Sequence, residues 1–382
     1  MMITKDIKYI GVNDHDIDLF EGQFEVPLGM AYNSYAIIDE KIAIIDSVEA
    51  NFKDEWLNNI KEALGERKPD YLVCHHMEPD HSGNILSFMQ EFPKAIIVSS
   101  QKSFAMMKAF FNEEFEERRI VISEGSKLEL GHHTLEFMAA PMVHWPEVMV
   151  SYDSCDKVLF SADAFGKFGA LDYDDEWDCE ARRYYFGIVG KYGAPVQTLL
   201  KKVSNLDVKI ICSLHGPVLN SDISHYINLY NTWSKYEVES SGVVICYTSV
   251  YGNTKKAALF LEEELSKAGL KVSVHDLART DIYEAVEDSF RYDRLVLATT
   301  TYNGDIFPKM KDFINLLLER GYKNRKIAFI ENGSWAPQAS KIMARMLEPL
   351  QGLDVIGPNV KINSSMSEAN KNELLELANN LK

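Results

Sequence analysis

The sequence predicts an α/β protein of two domains, and three observations lead to this prediction. The chain has 382 residues, about 2.5 times a common domain length. Its first part mixes many short apolar runs with helical patterns, which favours two sheets covered by helices, an αββα sandwich. Its second part alternates strands and helices regularly, which is typical of a doubly wound parallel sheet. We place the two domains at residues 1–239 and 242–382.

In the first domain, apolar runs between polar turns predict strands, and amphipathic runs between them predict helices. The expected strands are 34–38, 42–45, 71–74, 95–98, 127–130, 135–138, 158–160 and 208–214, and the expected helices 52–64, 82–92 and 103–111. In the second domain we expect strands at 243–247, 270–274, 294–298, 326–330 and 355–356. The expected helices there are 254–268, 282–288, 309–320, 338–350 and 368–381.

Composition and charge exclude several classes of protein. The formal net charge is −17, which is unsuited to nucleic acid or an anionic membrane surface as the main partner. No run of 18 apolar residues occurs and the first 22 residues lack the apolar core of a secretory signal, so we expect a cytoplasmic protein. Five scattered cysteines without a Cys-x-x-Cys pair argue against a disulfide framework and a four-cysteine metal module.

A cluster of imidazoles and carboxylates follows the predicted strand at 71–74. It contains His76, Glu78, Asp80 and His81 in the pattern H-x-E-x-D-H. Pro79 prevents a continuous helix, and in an extended segment the side chains at 76, 78 and 80 project to one side. Four such groups at one strand end predict a metal site.

Three further candidates follow later predicted strands: His144, Asp163 and His215. Each alone favours a structural role, a satisfied histidine or a helix cap. Because one scaffold brings strand-end loops together, the dense cluster turns all three into expected ligands of the same site. The other histidines lack this context and are assigned structural roles: His15, His75, His132, His133, His225 and His275.

The order and spacing of these seven residues resemble the metallo-β-lactamase superfamily. Its commoner motif, H-x-H-x-D-H, binds zinc and hydrolyses substrates, whereas Glu78 here stands where the second His would be. That replacement resembles the flavodiiron proteins, also called A-type flavoproteins, and the harder oxygen donors suit iron at least as well as zinc. Carried over by position, the resemblance implies one iron on His76, Glu78 and His144, a second on Asp80, His81 and His215, and Asp163 as the bridge.

The second domain carries a candidate phosphate loop between its first strand and first helix. Backbone N–H groups at a helix N-terminus, with nearby hydroxyls, form a phosphate cradle. The chain has neither a G-x-x-x-x-G-K-[ST] nor a G-x-G-x-x-G motif, which argues against nucleoside triphosphates and dinucleotides, and an ordinary capped turn stays possible. The candidate residues are Thr248, Ser249, Val250, Tyr251, Gly252, Asn253 and Thr254.

Two later loops lie where doubly wound folds bind ligands, at the ends of the third and fourth strands. Each offers one aromatic ring among glycines and hydroxyls, suited to a planar ligand, although either ring is also suited to packing. The candidate residues are Thr300, Thr301, Tyr302, Asn303, Gly304 and Asp305, then Asn332, Gly333, Ser334 and Trp335. Together the three loops resemble the FMN site of flavodoxins, with Tyr251 standing where flavodoxins usually carry Thr.

Over the whole chain, the resemblance is to flavodiiron proteins: a metallo-β-lactamase-like αββα sandwich followed by a flavodoxin-like doubly wound parallel sheet. It implies FMN and two Fe ions, and reduction of O2 to water by four electrons, of NO to N2O by two, or both, for detoxification in an anaerobe-type metabolism. It further implies rubredoxin or another external electron donor, with F420H2 left open, and a head-to-tail homodimer or dimer of dimers.

Two aromatic positions near the ligands are also singled out. The run from Glu180 to Phe186 resembles the family segment that carries a tyrosine hydroxyl close to the iron ligands, and we choose Tyr185 over Tyr184 as that residue. Trp145 is expected either to line the pocket or to pack in the core.

Two other functional classes remain as alternatives to a flavodiiron protein. A zinc-dependent hydrolase of the metallo-β-lactamase type, fused to a flavodoxin domain, predicts bound zinc and ester or thiolester cleavage. An electron carrier or gas sensor with a vestigial metal site predicts missing ligands, and none of the seven is missing. The motifs leave both O2 and NO open as substrates.

Overall fold

The computed structural model describes residues 1–113 and 115–382, and the chain divides into two compact units, Met1–Asn231 and Thr232–Lys382. Both units are α/β, as predicted. Among the described residues, no helix combines the length and the apolar character needed to cross a bilayer.

The first unit contains two mixed sheets and two small two-stranded ones. Its strands are β1 (Ile7–Tyr9), β2 (Val12–Asp14), β3 (Leu19–Phe20), β4 (Phe24–Glu25), β5 (Met30–Tyr32), β6 (Tyr35–Ile38), β7 (Ile42–Ile45), β8 (Tyr71–Val73), β9 (Ile96–Ser100), β10 (Arg119–Ile122), β11 (Lys127–Glu129), β12 (Thr134–Ala139), β13 (Met149–Asp153), β14 (Val158–Phe160) and β15 (Ile210–Cys212). One sheet has the order β1-β6-β7-β8-β9-β10 and the other β11-β12-β13-β14-β15, while β2 pairs with β5 and β3 with β4.

Apolar side chains from the two large sheets form one core. Tyr35 and Ile45 from the first sheet share a buried cluster with Phe137, Met149 and Phe160 from the second. Two sheets whose inner faces share a core form a sandwich. This confirms the predicted metallo-β-lactamase-like layering.

The helices of the first unit lie between these strands in the chain. They are α1 (Lys53–Leu64), α2 (Pro79–Ser82), α3 (Ile85–Glu91), α4 (Gln101–Phe111), α5 (Trp177–Tyr184), α6 (Gly193–Val203) and α7 (Ile223–Ser234), and a π-helical turn, Tyr185–Val189, continues α5. One expectation was wrong: the extended segment ends at Glu78, because Pro79 starts α2. Proline is well suited to the first turn of a helix, where its missing N–H costs nothing, so Asp80 and His81 lie on a helical turn.

The second unit is a parallel sheet with helices between its strands. Its elements are β16 (Ser240–Tyr247), α8 (Asn253–Lys267), β17 (Val272–Asp276), α9 (Ile282–Arg291), β18 (Tyr292–Tyr302), β19 (Asp305–Ile306), α10 (Pro308–Glu319), β20 (Arg325–Asn332), α11 (Ala339–Leu347), β21 (Leu353–Val355), β22 (Val360–Ile362) and α12 (Glu368–Asn380). The order β17-β16-β18-β20-β21, with β22 also beside β20, is the 2-1-3-4-5 order of a flavodoxin-like sheet. The predicted second-domain fold is confirmed.

Two of the predicted loops in this unit are partly strand. β18 continues to Tyr302 and pairs antiparallel with β19, so Asn303 and Gly304 form a hairpin turn, with φ values of 50° and 74°. This two-residue turn suits Asn-Gly, since both residues take the left-handed region easily. β20 likewise extends to Asn332.

Candidate metal centre and flavin site

The structure gathers the seven predicted ligands into two groups. Within each group the candidate donor atoms lie within 4.8 Å of one another. The first group is His76, Glu78, His144 and Asp163, and the second is Asp80, His81 and His215. All the donors are imidazole nitrogens and carboxylate oxygens, a set suited to iron or zinc.

In the first group, two carboxylates face two imidazoles. Asp163 Oδ2 lies 3.1 Å from His76 Nε2 and 3.2 Å from His144 Nε2. Glu78 Oε2 lies 3.1 Å and 2.9 Å from the same two nitrogens. Separations near 3 Å are those expected between ligands that surround one metal ion at about 2.1 Å.

The second group is equally tight. His81 Nε2 and His215 Nε2 are 2.9 Å apart, and Asp80 Oδ2 lies 3.1 Å and 3.3 Å from them. The other oxygen of Asp163, Oδ1, lies 3.6 Å from His81 Nε2 and 3.7 Å from His215 Nε2. Asp163 therefore presents one oxygen to each group, which is the arrangement a bridging carboxylate needs.

Burial makes these charges costly without a cation. His76, His81, Asp163 and His215 are at most 1% exposed, and both carboxylate oxygens of Asp80 and of Asp163 are buried without a hydrogen bond. Buried carboxylates are normally hydrogen-bonded, paired or bound to metal. The donor set therefore fits two metal ions.

Without a metal, protons compensate the carboxylates. Burial alone would lower the pKa of His144, but contacts with Asp163 and Glu78 raise it to about 9. Burial likewise opposes the charge on His76, yet Asp163, Glu147 and Glu78 together raise its pKa well above the ordinary value. A metal ion that binds here would therefore displace protons from these same nitrogens.

The outward-facing ring nitrogens have fixed partners. His76 Nδ1 donates to Glu147 Oε1 at 2.9 Å, and the same oxygen accepts from the backbone N–H of Met77 at 2.9 Å. His215 Nδ1 donates to the carbonyl of Ala31 at 2.8 Å. These bonds leave the Nε2 lone pairs facing the site. The sequence analysis missed Glu147, because a lone Glu three residues after His144 carries no motif.

Backbone in the left-handed region lies beside three of the ligands. Ala162, just before Asp163, has φ 51°, and Met142, two residues before His144, has φ 64°. Gly216, directly after His215, has φ 76°, and a Cβ there would lie 2.6 Å from Lys167 Cγ. Non-glycine residues adopt this region seldom, and such positions concentrate at functional sites.

The three candidate flavin loops follow β16, β18 and β20, which are neighbouring parallel strands of the second unit. Their carboxyl ends therefore meet at one edge of the sheet, the usual ligand position in this fold. Gly252 caps α8 with φ 87°, so the loop requires glycine for its backbone. Ser249 Oγ is buried without a hydrogen bond, and the N–H groups of the first turn of α8 provide further donors.

Several predicted flavin residues have structural partners instead. Thr248 is fully buried and its hydroxyl bonds to Thr299 Oγ1 at 2.6 Å. Thr301 Oγ1 accepts from Gln338 N at 2.8 Å and so caps α11. Other predicted residues are also engaged within the protein: Thr300 with the Asn332 carbonyl, Asp305 with Lys311, Asn332 with the Ser364 carbonyl, Gly333 with the Ile362 carbonyl and Ser334 with Ser364.

The aromatic residues of these loops are, by contrast, available to a ligand or partner. Tyr251 is 92% exposed, Trp335 83% and Tyr302 43%. Exposed aromatic rings at the ligand edge of the sheet are suited to packing on a planar ligand or on a protein partner. An anion cradle with a planar aromatic surface beside it fits a flavin mononucleotide.

Comparison with known proteins identifies the chain's relatives. Residues 30–216 match the ODP family of β-lactamases, and residues 244–364 match a flavodoxin domain. A nitric oxide reductase of Moorella thermoacetica is 30% identical over 357 residues, spanning 91% of this chain and 89% of that protein. The chain belongs to the flavodiiron family.

Other members of this family have similar folds. Rubredoxin oxygen:oxidoreductase of Desulfovibrio gigas superposes with a TM-score of 0.92 at 24% identity, covering 100% of this chain and 97% of that one. The flavodiiron protein of Giardia intestinalis gives 0.90 at 23% identity, covering 99% and 96%. The predicted family and both domain folds are thereby confirmed, and the chain is an oxidoreductase of the flavodiiron family.

Within this flavodiiron protein, the adjacent residues Tyr184 and Tyr185 have different surroundings. The Tyr184 ring is 5.5 Å from the His215 ring, and burial followed by the carboxylates of Asp163, Asp80 and Glu78 raises its pKa well above the ordinary value. Tyr185 packs at 5.1 Å on both Phe186 and Tyr230. The two rings have different neighbours because about 100° of rotation separates successive helical residues, and the choice between Tyr184 and Tyr185 stays a prediction.

Two further residues border the first ligand group. The Trp145 ring meets His76 edge-on at 5.2 Å, so it lines the site. Glu21 lies in the turn between β3 and β4; the residue as a whole is exposed, while its carboxyl group faces Glu78 and accepts from Gln23 Nε2 at 3.1 Å. Burial of the carboxyl group and its contact with Glu78 raise the pKa of Glu21 to about 7. No sequence motif marked Glu21.

Proposed function

We propose that this flavodiiron protein reduces O2 to water, NO to N2O, or both, at a diiron centre supplied with electrons by FMN. The observation that carries the proposal is the pair of ligand groups that share Asp163. Its relatives support it, since the Moorella protein is named a nitric oxide reductase and the Desulfovibrio protein an oxygen oxidoreductase.

His76, Glu78 and His144 would hold one iron, and Asp80, His81 and His215 the other, with Asp163 between them. Ser249 and the first turn of α8 would hold the FMN phosphate. When bound, two irons supply open positions and electrons for a diatomic gas, and reduced FMN supplies two electrons more.

The chain's own residues shape and supply this site. The aromatic rings of Trp145 and Tyr184 line the proposed metal site and keep bulk water from the buried ligands. Both reductions consume protons, and the carboxyl group of Glu21, with a pKa of about 7, is suited to passing them inward from the exposed β3–β4 turn. The Tyr184 hydroxyl is a second donor beside His215. We propose Tyr184 in the role first assigned to Tyr185.

The remaining features of the proposal concern assembly and place in the cell. We propose residues 1–239 and 242–382 as the functional domains, with an external donor such as rubredoxin acting on FMN in the cytoplasm. Exposed Tyr251 and Trp335 offer apolar surface for a protein partner at the flavin loops. We propose a head-to-tail homodimer. In it, the FMN of one protomer would lie beside the diiron site of its partner.

One anaerobic preparation tests the proposal. Iron, zinc and FMN per chain are measured together, followed by O2 and NO consumption with a reduced donor. We expect about two irons and one FMN, and loss of both metal and turnover in Asp163→Asn. Asp207→Asn, an exposed carboxylate paired with Lys157, is the matched control and should change neither. Zinc in place of iron, with cleavage of a thiolester, would instead establish the hydrolase.

A further inference from the structure

A third group of metal-binding residue types lies in the first unit, apart from the seven ligands. It consists of His133, Asp153 and Asp156, whose candidate donor atoms are within 4.8 Å of one another. His133 directly precedes β12, whereas His144 follows the same strand. Six strand residues span about 20 Å, so the third group lies at the opposite end of the sheet from the diiron ligands.

The side chains of this group are buried and converge. His133 and Asp153 are 1% and 0% exposed, and His133 Nδ1 lies 3.1 Å from Asp153 Oδ2. This contact is a hydrogen bond, and its length also suits two ligands of one ion. Asp156 follows in the turn between β13 and β14, where its backbone N–H donates to Asp153 Oδ2 at 2.9 Å.

Two buried polar atoms in the group lack hydrogen bonds. They are His133 Nε2 and Asp156 Oδ2. Asp6 Oδ2 lies 3.6 Å from His133 Nε2, beyond hydrogen-bond distance, and the other oxygen of Asp156 accepts from the Cys155 thiol at 3.9 Å. Leaving such atoms buried and unsatisfied costs free energy that a bound ion would offset.

Negative charge exceeds positive charge here. The hydrogen bond to Asp153 and the nearby charges raise the pKa of His133 to about 8 despite its burial. Burial and the same surroundings also raise the pKa of the Cys155 thiol. The carboxylates that face these two groups are Asp6, Asp39, Asp153 and Asp156.

We propose that His133, Asp153 and Asp156 bind one divalent metal ion that accepts mixed nitrogen and oxygen ligands, such as Mn2+. In this arrangement His133 Nδ1 binds the ion, and the Nε2–H faces Asp6 as the outer carboxylate that a metal-bound histidine commonly has. Binding displaces the proton from Nδ1 and adds two positive charges to the carboxylate cluster. The ion would link the start of β12 to the β13–β14 turn. It would thereby stabilise β12 and β14, the strands that precede His144 and Asp163.

The test uses iron-loaded, FMN-loaded protein and Mn2+ alone as the probe. Mn2+ binds nitrogen and oxygen sites more weakly than Fe2+, so it leaves the diiron centre occupied. Titration followed by electron paramagnetic resonance should show one Mn2+ per chain. Asp156→Asn should weaken binding at least tenfold, whereas Asp172→Asn, from the exposed His15–Asp172 pair, should not.

Two measurements on the unmodified protein test the proposal even if the variants do not fold. Bound Mn2+ in the unmodified protein should show nitrogen coupling from one imidazole, and binding should be complete below millimolar concentration. Absence of nitrogen coupling, no Mn2+ bound at millimolar concentration, or equal affinity in folded Asp156→Asn would each overturn it. The proposal stands or falls independently of the diiron reaction.

Discussion

Glu147 allows a sharp test of how this site is held, because it contacts a proposed ligand without facing the metal position. Its Oε1 accepts from His76 Nδ1 and from the N–H of Met77, each at 2.9 Å, and the side chain is buried. Its other oxygen is buried without a hydrogen bond. Glu147→Gln keeps the shape and, with the amide oxygen at the Oε1 position, both accepting bonds; it removes the charge and places the amide NH2 at the buried second position.

The expected loss follows from the strength of that contact. A hydrogen bond to a charged acceptor contributes about 1.5–3 kcal/mol, and one to a neutral amide about 1 kcal/mol. The change of about 0.5–2 kcal/mol corresponds to roughly 2–30-fold weaker binding of iron by His76. Loss of an outer carboxylate behind a metal-bound histidine typically costs about 10–100-fold, which overlaps this range.

The assay is anaerobic competition for iron between the protein and a chelator, with unfolding of the metal-free chain measured alongside. The matched control is Glu124→Gln, which loses a half-exposed carboxylate that accepts from Lys202 and from the N–H of Ala139. We expect weaker iron retention in Glu147→Gln only. Equal retention in the two variants and the parent would show that the charge on Glu147 does not tune His76, and would refute the reasoning.

Three further predictions concern proton supply, flavin binding and metal uptake. Tyr184→Phe should keep iron yet slow gas consumption at least tenfold, while Tyr185→Phe stays near the parent rate; the reverse order would restore the original choice. Ser249→Ala should weaken FMN binding about 5–20-fold by fluorescence titration, without lowering the stability of the flavin-free chain, since a buried unsatisfied hydroxyl is removed. Iron affinity should fall at least tenfold per unit as the pH drops below 9, because iron must displace protons from His144 and His76; a flat chelator-competition profile from pH 6.5 to 9 would contradict this.

Most strands and helices of the second unit could be predicted from the sequence because they alternate regularly along the chain. Parallel strands of the second unit appear as apolar runs separated by helices, and their order follows from the fold class. The seven candidate ligands could be predicted because each follows a strand, four after β8 of one sheet and three after β12, β14 and β15 of the other. Residues without a motif, such as Glu21 and Glu147, were missed because only the tertiary fold brings them to the ligands.

Two local features of the helices could not be predicted from the sequence. The sequence contains Tyr184 and Tyr185 side by side, and which of them faces the ligands depends on the rotation of α5 where it passes into a π-helical turn. The amino-acid composition of the segment does not indicate that rotation. Asp80 was expected in an extended segment because Pro79 interrupts helices, whereas at the first turn proline starts one.

Hydrogen-bond satisfaction separates ligands from structural histidines better than burial does. His75 is as buried as its neighbour His76 and also meets a carboxylate, Asp46, at 2.7 Å. Its second nitrogen bonds to Ser151 Oγ at 2.9 Å, so both ring nitrogens have partners and no room for an ion is needed. Asp80 and Asp163, by contrast, present buried oxygens without hydrogen bonds to inward-facing Nε2 atoms. Buried polar atoms that have hydrogen-bond partners indicate a structural role. Buried polar atoms that converge without such partners indicate a cation-binding site.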